Sequence, residues 1–150
     1  MDIISLLNVN KTYGTEENTV TALDNVNITV KKGEMIAIMG KSGSGKSTLL
    51  NILGGIDVYN SGTYLFSNEK VNIKSQKSMA VFRNLHVGYI IQSFALIEDF
   101  NVFDNIALPL KYKGLSKKKI ESKVFSLAES LGLEDKINRY PYELSGGECQ

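Results

Sequence analysis

Gly40, Lys41, Ser42, Gly43, Ser44, Gly45, Lys46 and Ser47 have the types and the order needed to hold a phosphate chain. They meet the spacing G-x-x-x-x-G-K-[ST] at every required position. Glycines let the backbone take turns closed to other residues, so several N–H groups point into one concavity. A helix starting near Gly45 adds the positive end of its dipole. Lys46 is set to reach the β- and γ-phosphates, and the Ser47 hydroxyl to ligate Mg²⁺.

The context expected for such a loop is a strand before it and a helix after it. Upstream, Glu34 to Met39 is a short apolar run between Gly33 and Gly40. It reads as a strand buried on both faces. Downstream, Thr48 to Leu53 repeats apolar residues at helical spacing and stops at Gly54-Gly55. The alternative, a Gly/Ser-rich turn with a chance lysine, does not account for both flanks.

The rest of the chain supplies the frame. Ile3 to Val9 reads as a strand, Lys11 to Gly14 as a turn, and Val20 to Leu23 as a second strand. Val26, Ile28 and Val30 alternate with polar residues, as in a half-buried strand. Thr63 to Phe66 is a further β-rich run, with a turn over Ser67 to Lys70. Ser75 is a candidate cap for a helix carrying Met79, Val81 and Phe82. Val87 to Ile91 reads as another buried strand, ending at Gln92. A polar residue in that position of an α/β fold faces the ligand crevice.

Beyond Ser93 the pattern turns helical. Asn101 to Lys113 carries Val102, Ile106 and Leu110 on one face, and Gly114 closes it. Ser116 is expected to cap a helix with Ile120, Val124, Leu127, Ala128 and Leu131 on its apolar side. The expected division is residues 1–93 as an α/β core with an antiparallel part, 94–143 as a helical subdomain, and 144–150 as a closing motif. The fold class expected is α/β, of the P-loop NTPase type.

Composition narrows the function. The chain has 150 residues, 43% hydrophobic and 22% charged, and a net charge of +1. That is one ordinary globular domain with no electrostatic case for nucleic acid. No apolar run nears the roughly 20 residues of a membrane span. Cys149 is the one cysteine, so no disulfide framework exists within the chain. A cytoplasmic protein is expected. The stop at Leu144-Ser145-Gly146-Gly147-Glu148-Cys149-Gln150, in what looks like the opening of an element, suggests an incomplete sequence.

With Gln92 and Leu144-Ser145-Gly146-Gly147-Glu148 added to the phosphate loop, the chain resembles the nucleotide-binding subunit of ATP-binding cassette (ABC) transporters. Thr21-Ala22-Leu23-Asp24, Gly54-Gly55-Ile56-Asp57, Gln92-Ser93-Phe94 and Asn105 to Leu110 resemble the subfamily that powers lipoprotein release, macrolide efflux and antimicrobial-peptide resistance. The resemblance implies a RecA-like core with an N-terminal antiparallel β-subdomain and a helical subdomain. It implies roles for single residues. Tyr13 stacks on adenine, although a residue there could also simply pack a turn. Gly40 to Thr48 is the Walker A loop, with Lys46 acting in catalysis. Gln92 senses Mg²⁺ and the attacking water. Ser145, Gly146, Gly147 and Glu148 close over the nucleotide of a second subunit in a head-to-tail dimer.

The implied cofactors are ATP and Mg²⁺, the latter on Ser47 and Gln92. The implied partners are that second subunit and a membrane permease docking on the helical subdomain, at the inner face of the membrane. The complete protein would be an ATPase driving export or extraction of a lipoprotein, peptide or antibiotic. The family's Walker B aspartate, catalytic glutamate and switch histidine follow the signature and are absent from these 150 residues. Negligible hydrolysis is therefore expected of the chain alone, and a nucleotide-binding remnant without catalysis is the alternative. His86 is expected at the surface, and Lys117 to Lys119 as a solvated first helical turn.

Overall fold

A computed structural model describes residues 1–15, 17–72, 75–91 and 93–150. The chain divides into two compact units, Met1–Val87 and Gly88–Gln150.

The first unit is built on a four-stranded antiparallel sheet of β1 (Asp2–Tyr13), β2 (Val20–Lys31), β3 (Ser61–Phe66) and β4 (Glu69–Lys70), in the order β2-β1-β3-β4. β1 is central. Leu6 lies opposite Ile28 on one side and Tyr64 on the other. β3 and β4 are joined by Ser67 and Asn68, both at positive φ (51° and 66°). That backbone matches the right-handed twist of a tight hairpin. The helices of this unit are α1 (Lys46–Leu53) and α2 (Gln76–His86). Ser75 caps α2, its hydroxyl accepting from the Ser78 N–H at 3.1 Å. His86 ends α2 with its ring against Phe66 and Phe82.

β1 is longer than its apolar run suggests and does not alternate cleanly. Its pairing register shifts between Leu6 and Val9, where Asn8 sits at φ 51°. The facing strand breaks similarly at Asn25, φ 47°. Asparagine side chains stitch these irregularities. The Asn8 N–H donates to Asn27 Oδ1 (3.0 Å), and the Asn25 N–H to Asn10 Oδ1 (2.7 Å). An extra residue in one strand reverses which face the following side chains take. Leu6 and Val9 are therefore both in the core, three residues apart, and Lys11 turns inward after them. The turn expected at Lys11 is not formed there; Lys11 lies within the strand.

The core of this unit gathers Leu6, Val9, Leu23, Leu49, Ile52, Tyr59, Tyr64 and Val71. α1 contributes Leu49 and Ile52, three residues apart on one face. The Gly54 N–H closes the helix onto the Leu50 carbonyl at 2.8 Å, and Gly55 takes φ 65°.

Two expected strands do not form. Residues 34–39 are irregular, with Met35 96% and Met39 89% exposed; only Ile38 packs against the first core. Residues 87–91 are irregular too, and Ile90 is 76% exposed. A strand exists only through a neighbour that takes its N–H and C=O groups. Among the described residues no strand pairs with either one, so apolar composition alone does not make them strands.

The second unit is helical: α3 (Val102–Tyr112), α4 (Lys117–Ser130), single helical turns at Glu134–Lys136 and Pro141–Glu143, and α5 (Gly146–Cys149). Asn101 caps α3, accepting from the Asp104 N–H at 2.9 Å. Val102, Ala107, Ile120, Val124, Ala128 and Ile137 form its core. The buried stripe of α4 is Ile120, Val124 and Ala128. Leu127 and Leu131, expected on that face, are exposed. Leu127 sits roughly 60° around the helix from Val124, at the edge of the stripe, and Leu131 lies past the last turn. Ser116 stands at the N-cap without a side-chain bond to the helix.

Ile52 and Leu50 give a direct check of this packing. Ile52→Ala, at a buried position, should lower the unfolding free energy by about 2–5 kcal/mol. Leu50→Ala, at an exposed one, should cost under about 1 kcal/mol. Urea unfolding of the full chain measures both, and equal losses would contradict the packing described.

Candidate functional site

The phosphate loop owes its shape to two glycines and the strand beneath it. Gly43 and Gly45 lie at φ 79° and 83°. A side chain at Gly45 would also strike the Ala22 carbonyl of β2, its Cβ only 2.2 Å away. No residue but glycine fits there on either count. β2 thus supports the loop from below, and α1 starts on the next residue.

α1 opens with no acidic residue in its first turn and no side-chain cap on its first amides. Those N–H groups have no partner within the helix, and the dipole makes their surroundings positive. Lys46, the first helical residue, folds back over the loop. Its ammonium donates to the carbonyls of Gly40 (2.9 Å) and Lys41 (2.6 Å) and lies 3.4 Å from Ser44 Oγ. A positive charge, first-turn amides and the exposed Ser42 and Ser47 hydroxyls therefore share one short segment. This donor set suits an oxyanion chain. It also suits a magnesium ion arriving with that chain, since Mg²⁺ commonly takes one or two protein oxygens and completes its shell with phosphate and water. Among the described residues no group of three or more His, Cys, Asp or Glu could hold a metal unaided.

Tyr13 stands beside this loop. Its hydroxyl donates to Asp57 Oδ2 at 2.6 Å and lies 3.4 Å from Thr48 Oγ1, in the first turn of α1. Lys11 is only 7% exposed. Its ammonium donates to Asp57 Oδ1 (2.8 Å) and the Val58 carbonyl (2.7 Å), and covers one face of the Tyr13 ring at 4.5 Å. Burial pushes the Asp57 carboxyl up, but bonds from Lys11, Tyr13 and the Val58 N–H outweigh it and hold the group below its ordinary 3.8. Sequence reading missed Lys11 and Asp57. The one signal available was the position of Asp57 in Gly54-Gly55-Ile56-Asp57.

In the second unit, Ser145 caps α5. Its N–H and hydroxyl donate to Glu148 Oε2 at 2.7 and 2.8 Å, and the Glu148 N–H returns a bond to Ser145 Oγ at 3.4 Å. This reciprocal pattern is a capping box. The Ser145 bonds, helped by Lys136 at 3.6 Å, hold the Glu148 carboxyl below its usual value. Gly146 and Gly147 are exposed, and Phe94 lies near Gly146. Phe94 and the following Ala95 both take positive φ (62° and 53°), unusual for residues with side chains. The Cys149 thiol donates to the Pro141 carbonyl at 3.6 Å. Gln92, singled out from the sequence, lies outside the described residues. Tyr13 and Gly40 to Thr48 gather in the first unit, and Ser145 to Glu148 in the second.

Residues 23–150 match the family described as ABC transporter. The chain is 41% identical over 148 residues to the lipoprotein-releasing system ATP-binding protein LolD of Buchnera aphidicola subsp. Acyrthosiphon pisum, covering 99% of this chain and 65% of that protein. It is 38% identical over 150 residues to the bacitracin export ATP-binding protein BceA of Halalkalibacterium halodurans, covering all of this chain and 59% of that one. The chain thus spans less than two thirds of the length of these curated relatives. A similar solved structure is the dimeric post-hydrolysis state of the ATP-binding cassette MJ0796 bound to ADP and Pi. It superposes with a TM-score of 0.87 at 36% identity, covering 98% of this chain and 65% of that one.

The depressed Asp57 carboxyl carries a pH signature. Because its folded value lies below 3.8, its contribution is complete above that pH and is lost as pH falls through the folded value. Asp57→Asn should cost about 1–3 kcal/mol of stability at pH 7. The gap to wild type should narrow as pH approaches 3. Thermal unfolding of both proteins across pH 3–7 measures this, and a pH-independent gap would show that the charge is not what matters.

Proposed function

The chain belongs to the ABC transporter family, and we propose that it is the nucleotide-binding portion of an ATPase subunit. The reading is that it binds Mg-ATP on Gly40 to Thr48, pairs head-to-tail with a second copy, and drives a membrane permease. The observation that carries it is the phosphate loop: glycines with left-handed backbone, Lys46 over the loop, and uncapped amides at the start of α1.

In this reading each residue has a task. The loop amides of Lys41 to Thr48 bind the phosphate oxygens. The Lys46 ammonium neutralises charge on the β- and γ-phosphates. The Ser47 hydroxyl offers a ligand to Mg²⁺, and Gln92 a second contact to the ion and the attacking water. A Mg²⁺ ion held there would supply positive charge to the phosphate oxygens. Tyr13 gives the base an apolar face. Ser145, Gly146 and Gly147 act on the nucleotide of the facing subunit, with Glu148 holding the serine in place. Among the described residues no helix is long and apolar enough to cross a membrane. The proposed site of action is the cytoplasmic face, with the helical unit against the permease. The names of the relatives favour export or extraction of a lipoprotein or peptide.

Lys46→Ala tests the central point. It should raise the Kd for Mg-ATP by roughly tenfold or more and weaken inorganic tripolyphosphate to a similar degree. Isothermal titration of the full chain with both ligands is the measurement. Unchanged affinities would overturn the reading.

A further inference from the structure

We propose that Asp57 is a positioning residue for the nucleotide base: it holds Tyr13 as a fixed platform and links that platform to the first turn of α1. The inference rests on the reading of Gly40 to Thr48 and Tyr13 as a nucleotide site.

Three contacts of the Tyr13 side chain support it. The hydroxyl is pinned by Asp57 at 2.6 Å and approaches Thr48 Oγ1 at 3.4 Å. One ring face is covered by the Lys11 ammonium at 4.5 Å. Lys11 is itself fixed by Asp57 and by the Val58 carbonyl. Tyr13 nevertheless stays 42% exposed, which leaves area for a base to stack on. A platform already held in one rotamer loses little entropy when a ligand arrives, so more of the stacking energy appears as affinity.

Charge is consistent with this role. A lone carboxylate beside a triphosphate site would repel the ligand. Here the carboxylate is neutralised by a buried ammonium, so Asp57 can accept from Tyr13 without presenting net charge. Thr48 directly follows Ser47. The contact of Tyr13 with Thr48 therefore sets the base platform at a fixed reach from the phosphate loop. That reach is what distinguishes a nucleoside triphosphate from a bare phosphate chain.

The test compares Mg-ATP with inorganic tripolyphosphate, titrated calorimetrically into the full chain. The variants are Tyr13→Phe, Asp57→Ala, Tyr13→Ala and the double variant Tyr13→Ala with Asp57→Ala. Tyr13→Phe and Asp57→Ala should each raise the Kd for ATP roughly 3- to 10-fold and leave tripolyphosphate unchanged. On the Tyr13→Ala background, Asp57→Ala should add nothing to the ratio of the two constants. If Asp57→Ala weakens both ligands equally, it supports α1 only, and the inference is overturned while the nucleotide site stands. If Tyr13→Ala leaves the ratio unchanged, Tyr13 is no base platform and the inference fails with that assignment. If Lys46→Ala affects neither ligand, the phosphate site itself fails, and the inference with it. Should Asp57→Ala not fold, as judged by circular dichroism, Tyr13→Phe decides alone, because it removes the same hydrogen bond and leaves the Lys11–Asp57 pair intact.

Discussion

A buried ammonium needs a partner, and the first unit is arranged so that Lys11 has one. Isolated in an apolar interior, the charge would cost several kcal/mol. Asp57 and the Val58 carbonyl meet it directly. Those two residues follow α1 closely, and Lys11 belongs to β1. The pair therefore ties the strand at the centre of the sheet to the segment leaving the phosphate-loop helix. Tyr13, two residues along the same strand, closes the triangle onto Asp57 and Thr48. Removing either charge would strand the other without its partner, at a cost in stability.

The loop itself depends on close approach. Gly45 admits the Ala22 carbonyl because it has no Cβ, and its left-handed backbone starts α1 in the required direction. The antiparallel sheet is thus a floor for the loop as well as an independent layer. Its irregularities serve the same end. The register shift near Asn8 turns Val9 and Lys11 inward, and without it Lys11 would face away from Asp57.

Not all apolar sequence finds cover. Met35 and Met39 are almost fully exposed, and Ile90 is largely so, although both runs have the composition of buried strands. A strand buried on both faces is the least autonomous element a chain can contain, because its hydrogen bonds and its packing all come from elsewhere. Large exposed apolar side chains in such runs favour association.

The sequence by itself determined the local elements. The phosphate loop, the signature at Ser145 to Glu148 and the cap at Ser75 were legible because each is a short-range rule of backbone geometry or hydrogen bonding. The same holds for α1 through α4, whose apolar spacing is read along a single segment. What only the tertiary structure decided is everything that depends on a partner far along the chain. The inward turn of Lys11 follows from a bulge that breaks the two-residue alternation. The role of Asp57 follows from a neighbour forty-six positions away. The exposure of Leu127 follows from which side of α4 meets the core. The irregular state of residues 34–39 follows from the absence of an adjacent strand among the described residues. Composition says what a segment is able to become, and its neighbours supply the hydrogen bonds and the buried surface that make it so.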